Sequence, residues 1–600
     1  MPETTPPRWD LSNVYPGLDS PEFLAGTNQR ESMLTEMEAL LTSLESLDDK
    51  SDAELVADRI NHLLTEIQKL LLLENTLGAF IHSFVSTDSF NKDAMRKQSE
   101  FERESVRSDK LETRLRAWVG KIAPLLPKIT AAPGPAHEHA FWLKEVAEQS
   151  RYLMSQPEEA LAAELNLSGA NAWQKLQGTV TSQLTVDFEL DGKVQKLPMP
   201  ALINLRSHPD EVVRRRAYEA ENAAWDSVKE PLAAALNGVK GMAVTLNQHR
   251  GRTDALHSAL DINRIDRQTL DAMLTAMKES LPMFGRYFQS KAKKLGKDKL
   301  PWWDLFAPGG KTTRSYTYDQ ARDFVVENFG KFSPDLSNFA RKAFDGGWID
   351  AEQRSGKRGG AFCMSVPGVK ESRVLMSFDG SMDVVSTLAH ELGHAFHNDC
   401  MYSAGRTELQ RTTPMALAET ASIMCETIVV EEVLAQATDP DEVWAILESA
   451  LTGDSQVIVD IYSRFLFESE IFKRREQAEL SADEFCEIME SAQKEAYGDG
   501  LDQRYLQKWM WTWKPHYYSS GLSFYNFPYA FGLLFGTGLY AIYQKRGADF
   551  VPEYKALLAS TGMGDAAELA ARFGIDIRQP DFWRGSLAII GKRVERYIAL

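Results

Sequence analysis

The run His390-Glu391-Leu392-Gly393-His394 holds the residues whose types and spacing most directly imply chemistry. Two histidines four apart on a helix lie one turn from each other, so both imidazoles can reach one metal ion at about 2 Å, with the glutamate offset toward a bound water. The surrounding segment, Asp383 to Asp399, has no proline and sets Val384, Leu388, Leu392 and Phe396 at helical spacing, with Asp383 as the candidate N-cap. His390 and His394 stand among apolar neighbours, where an imidazole needs a partner. A catalytic zinc takes three protein ligands and keeps one position open. A third histidine in the ten-residue pattern would fall at position 400, with glycine at 397; these are Cys400 and His397, so that arrangement is excluded. A carboxylate from a following helix remains.

That helix is expected after Thr413, the candidate cap, with Pro414 in its first turn. Glu419, Ser422 and Glu426 fall three and seven apart, on one side of an otherwise apolar run. Buried carboxylates need a cation or hydrogen-bond donors, so one glutamate is expected on the metal and the other against a zinc-bound histidine. Periodicity does not say which is which. Glu419 as ligand and Glu426 as orienter is the sharper assignment, against a surface ion pair for Glu426. His397, further along the metal stripe, is expected in the core rather than in the site.

The elements that must carry these residues are mostly helical. From about Ser20 to Leu126 leucines recur three and four apart, as packing faces do. A proline- and alanine-rich stretch, residues 130–140, separates this part from the next, and its His137 and His139 are expected to be exposed loop residues. Between Thr179 and Leu197 the period changes to two, with Asp191 and Gly192 as a hairpin turn. A charged, solvated helix pair is expected over Ser207–Ala243. A soft boundary near residue 200 gives an N-terminal helical domain, 1–200, and a catalytic domain, 201–600. Two short runs just before the motif, 356–365 and 372–381, are expected to pair. Gly359 and Gly360 there would let another backbone approach, and Ala361 and Phe362 follow as candidate contacts for an extended peptide.

Composition sets the limits. The 600 residues carry 67 basic and 85 acidic side chains, a net charge of −18, which argues against a protein that tracks nucleic-acid phosphates. A 44% hydrophobic and 25% charged share is that of an ordinary folded protein. Cys363, Cys400, Cys425 and Cys486 have no pairing or metal spacing and read as reduced. The N-terminus has no basic segment followed by an apolar run, and the apolar stretch Ala530–Tyr543 is too short to span a bilayer. A soluble, cytoplasmic enzyme with neither membrane nor nucleic-acid partners is expected; oligomeric state is not legible.

The chain resembles the thimet-oligopeptidase-like zinc peptidases, and within them the oligoendopeptidase F branch. The likeness lies in RWDLSNVYPG, GKRGGAF, STLAHELGHAFH, AETASIMCE and PHYYSSGLSFYNFPYAFG, and so runs nearly end to end. It implies a mainly α, gluzincin-type helical ellipsoid with a deep substrate groove and a small β-sheet near the active site. It also implies one zinc per chain on His390, His394 and Glu419, which settles the choice that periodicity left open. Glu391 becomes the general base, and His516, Tyr525 and Tyr529 the donors to substrate and oxyanion. Phe527 stands where the branch often has another tyrosine, with Tyr518 as the neighbour to take its role. On the residues alone that aromatic run reads as core packing.

The expected activity is hydrolysis of internal bonds in short unstructured peptides. One rival is an exopeptidase of the same class, which needs a fixed cation such as Arg406 or Arg411 for the terminal carboxylate. The other is a zinc-stabilised scaffold that binds peptides without cutting them; Glu391, dispensable for holding metal, stands against it.

Overall fold

The computed structural model describes residues 5–310 and 314–600, so the first four residues of the N-terminal segment lie outside the described residues. Three long helices open the chain, Pro21–Leu44, Ala53–Thr87 and Lys92–Lys121. Each begins where a short polar side chain takes unpaired backbone N–H groups: Ser20 accepts from Phe23, Asp52 from Glu54 and Leu55, and Asn91 from Ala94. Their leucine stripes meet, Leu34 and Leu41 with Ile60, Leu64, Leu115 and Trp118 in one buried cluster. His137 is exposed as expected, but His139 is buried. A helical turn, Pro135–Glu138, tucks its ring inward, where Nδ1 lies 2.7 Å from Pro135 O and Nε2 2.9 Å from Thr407 Oγ1.

The period-two segment forms a hairpin of Thr185–Leu190 against Lys193–Pro198. Asp191 and Gly192 turn it with φ of 53° and 73°, the twist that matches two right-handed strands. The residues before it, through Gln183, complete a helix instead. In the pair Glu211–Ser227 and Lys229–His249, only the first helix is largely solvated. The second buries Leu232, Ala235 and Leu236 against Phe467, Ile471 and Phe485, and its Lys240 Nζ meets Glu468 at 2.6 Å. The charge in that window comes mostly from the first helix and masked the apolar face of the second.

The runs before the motif do pair. Phe362–Val366 lies antiparallel to Glu371–Leu375, which is also parallel to Ile349–Asp350; Phe362–Val366 is therefore an edge strand of this small sheet. The motif helix spans Met382–Ser403 and packs on the sheet and on the helix Thr420–Gln436. Its cap is Ser381, which accepts from Val384 N, and not Asp383. Asp383 lies inside the first turn and accepts from Ser449 Oγ at 3.0 Å. The following helix is also built differently from expectation. Pro414, not Thr413, caps a single turn, Met415–Ala418, and Glu419 then breaks the backbone (φ −83°, ψ 2°) before Thr420–Gln436 begins. Glu419 is thus a joint between two helices.

Glycines let the supporting helices close around this joint. Gly393 sits where a β-carbon would be 2.6 Å from Ala421 O, and on the helix Phe527–Arg546 one at Gly532 would be 2.7 Å from Glu419 Cβ. Among the described residues no helix is long and apolar enough to cross a membrane, and all four cysteines are free.

Candidate active site

His390 and His394 both turn toward Glu419. From its Oε2, His390 Nε2 is 3.3 Å away and His394 Nε2 3.4 Å, and these side chains are 22–24% exposed, shielded yet open to water. Among the described residues they form the group of histidine, cysteine or acidic side chains able to hold a metal ion. The remaining contacts orient the donors. Glu426 Oε2 lies 3.0 Å from His390 Nδ1, so His390 is held at both ring nitrogens, and Ser422 Oγ donates to Glu419 Oε2 at 2.6 Å. Sequence reasoning placed Ser422 on this stripe without a role; its hydroxyl aims the carboxylate.

The electrostatics favour a cation here. Burial opposes charge on His390, but Glu419 and Glu426 outweigh it and raise the imidazole to about 10. Burial likewise opposes charge on Glu419, yet His390 and His394 hold it far below the usual carboxylate range. Two imidazoles with one carboxylate form the donor set of a catalytic zinc. Glu391 fits the same assignment from its neighbouring position. It is buried, Oε2 has no hydrogen-bond partner among the described residues, and burial raises its pKa above the usual value. A buried carboxylate oxygen without a partner is costly unless a ligand supplies the bond.

A recess of about 530 Å³ opens on these residues. The edge strand supplies Phe362, Cys363 and Ser365, with Ala361 just before it, and the motif helix supplies Asn398 and Met401; Gly359 and Gly360 stay in the exposed turn ahead of the strand and do not line it. Arg411 lines it but ion-pairs with Glu408 and lies 4.3 Å over the Tyr402 ring, while Arg406 Nε donates to Ala559 O at 2.9 Å. Contrary to expectation His397 also lines the recess, although its residue is buried and its ring is engaged, with Nε2 3.1 Å from Leu558 O and 2.8 Å from Thr561 Oγ1. A second, larger cavity of about 1320 Å³ shares Ser365 and Thr413 with this recess and continues between the N-terminal helices.

The C-terminal residues gather into one group. His516 stacks on Tyr525 with ring centroids 5.6 Å apart, and Tyr525 and Tyr529 hydroxyls meet at 2.6 Å. Tyr529 lies one turn before Gly532, the residue packed on Glu419, and the Glu419 charge adds to burial and Tyr525 in raising the Tyr529 pKa. None of the three lines the recess itself. Burial, then the cations Arg464, Lys514 and Lys240, keep His516 neutral, far below its usual pKa. Phe527 is in the main core, and Tyr518 is fully buried in another cluster with its hydroxyl enclosed, so Tyr518 has no access to a substrate.

Known proteins point the same way. The family model for Peptidase family M3 matches residues 204–589, and that for Oligopeptidase F matches residues 133–185. An oligoendopeptidase F homolog of Lactococcus lactis is 22% identical, over 98% of this chain and 96% of its own length. Oligopeptidase PepF of Bacillus subtilis is 23% identical over 74% of this chain and 66% of that protein. Among solved structures, a putative peptidase from Chlamydophila abortus superposes with a TM-score of 0.85 at 18% identity, covering 99% of this chain and all of the other. Oligoendopeptidase-F from Enterococcus faecium gives 0.64 at 16%, over 95% of this chain and 98% of its own. The fold is shared with these peptidases, and the chain belongs to peptidase family M3, in its oligoendopeptidase F branch.

Proposed function

We propose that this protein is a zinc-dependent endopeptidase that hydrolyses internal bonds of short unstructured peptides in the cytoplasm. The observation that carries the reading is the convergence of His390 Nε2, His394 Nε2 and Glu419 Oε2 beside the unpartnered carboxylate of Glu391. Those three side chains would hold one zinc per chain, which when bound polarises a scissile carbonyl and acidifies water. Glu391 then takes the water's proton on its carboxylate and delivers it to the leaving amine. Burial, which raises its pKa above the ordinary carboxylate value, makes it the stronger base for the first of these transfers. Glu426 holds the His390 ring from behind. Tyr529 and His516 donate hydrogen bonds as negative charge develops on the carbonyl oxygen, and Tyr525 fixes the Tyr529 hydroxyl.

Binding follows from the walls. An extended peptide lies against the edge strand at Ala361 and Phe362, with Gly359 and Gly360 leaving its approach open, and continues into the larger cavity. Folded proteins cannot present a free extended segment there. The two arginines weighed for a terminal carboxylate are engaged within the protein, which favours endo over exo cleavage.

The test is digestion of an unstructured peptide blocked at both ends, with and without a chelator, read by mass spectrometry. Internal cuts that vanish with chelator are expected. Cleavage confined to peptides with a free carboxyl terminus would make it an exopeptidase, and no cleavage of any peptide by the zinc-loaded protein would make it a binding scaffold.

A further inference from the structure

Among the described residues the His516 ring makes one hydrogen bond, and that bond has a direction. Its Nε2 lies 2.8 Å from Asn526 Nδ2, while Asn526 Oδ1 lies 3.1 Å from Arg464 Nη1. A guanidinium only donates, so the amide oxygen must be the atom that faces Arg464. The amide nitrogen then faces the imidazole, and it too only donates, so His516 Nε2 must accept and carries no proton.

The origin of this constraint is itself fixed. Arg464 ion-pairs with Asp460 one helical turn earlier, and the two side chains are 13% and 1% exposed. Tyr497 OH donates to the other carboxylate oxygen of Asp460 at 3.4 Å. Asp460 ends a π-helical stretch, Gln456–Asp460, that runs directly into the helix Ile461–Arg475. Wide turns of this kind are rare and concentrate at functional positions.

Resting on the reading of His516 as a substrate contact, we propose that Asp460, Arg464 and Asn526 form a relay that holds His516 as its Nδ1–H tautomer and so makes Nδ1 the donor offered to substrate. Asn526 is the positioning residue. Among the described residues Nδ1 has no hydrogen-bond partner, and stacking on Tyr525 resists a flip of the ring. Burial and the surrounding cations keep the imidazole neutral, so Nε2 does not take up a second proton in the working range and stays the acceptor for the Asn526 amide. The alternative tautomer would direct an N–H at the amide NH2 and leave a bare nitrogen toward substrate, two mismatches at once.

The experiment uses the full-length zinc-loaded chain with 15N-labelled histidine and long-range proton–nitrogen NMR correlations, His516 being assigned by its loss in His516→Gln. A protonated Nδ1 and an unprotonated Nε2 are expected. Asn526→Asp keeps the bond to Arg464 but can only accept from the ring, so the two nitrogen signals should exchange character. Its kcat should fall by about 10²-fold, the usual loss for one misdirected transition-state donor, with KM within about threefold. A proton on Nε2 of the unmodified protein overturns the relay, and this holds even where the Asp variant fails to fold. An Asp variant with unchanged ring signals overturns it equally. Full activity in His516→Gln would instead remove the underlying reading of His516 while leaving the tautomer result intact, so the two failures are distinguishable.

Discussion

Replacing Gly393 by alanine tests how the two ligand-bearing helices are held together. A β-carbon there would lie 2.6 Å from both Ala421 O and Ser422 Cα, where ordinary contact begins near 3.4 Å, so the helices must part by about 0.8 Å. The obstructing atoms are backbone and cannot rotate away. One side of this contact carries His390 and His394, and the other begins at Glu419. A gap of that size exceeds the roughly 0.2 Å tolerance of metal–ligand distances. Zinc affinity should therefore fall about 10- to 100-fold, as when a ligand loses its orienting support. Misplacement on this scale should also lower kcat/KM by about 10²-fold. Overpacking adds a cost of about 1–3 kcal/mol to folding, read from thermal unfolding in excess chelator so that metal loss does not contribute. Zinc affinity comes from competition with a chromogenic chelator, and turnover from a quenched peptide blocked at both ends. Gly585→Ala is the control, since that helix position has nothing within 4 Å of an added methyl. Wild-type zinc affinity and turnover in Gly393→Ala would refute the packing argument.

Three further outcomes are expected. Glu391→Gln should bind zinc normally and lose about 10²- to 10⁴-fold in kcat, the range for a general base; substantial retained turnover would sink that assignment. Tyr529→Phe should lower kcat more than it raises KM, because its hydroxyl acts as charge develops, and a pure KM effect would recast it as a binding residue. His397 concerns stability: burial, then the charge of His394, lowers its pKa to about 4 from 6.5. The folded state resists protonating it, so its contribution is complete above pH 6.5 and is lost as pH falls from there through 4, about 3 kcal/mol in all. His397→Gln, which keeps a donor for Leu558 O, should flatten the acid limb of the stability curve over that window; an unchanged limb counts against the buried neutral histidine.

Local spacing made the metal stripe legible. His390, Glu391 and His394 lie within one turn of a single helix, and Glu426 falls on the regular stripe of the next. Glu419 was harder to read because its position is a joint between two helices rather than a place on one, and periodicity does not mark joints. The N-cap at Ser381 fell two residues before the expected Asp383, because neighbouring polar residues compete for the same backbone donors, and the one at Pro414 fell one residue after Thr413 with no side-chain hydrogen bond to mark it. The buried face of Lys229–His249 was hidden by the charge of the helix before it. His139 looked like loop because its partners, Gln68 and Thr407, are distant in sequence. The same distance concealed Arg464, whose part in the site depends on Asn526 sixty-two residues later.

The most direct test of the metal assignment is X-ray absorption at the zinc edge on the purified, loaded protein. One zinc per chain with a shell of nitrogen and oxygen only, at about 2.0–2.2 Å, and outer scattering from two imidazoles is the expected result, lost in Glu419→Ala. A sulfur scatterer at about 2.3 Å, or an unchanged shell in that variant, would contradict it.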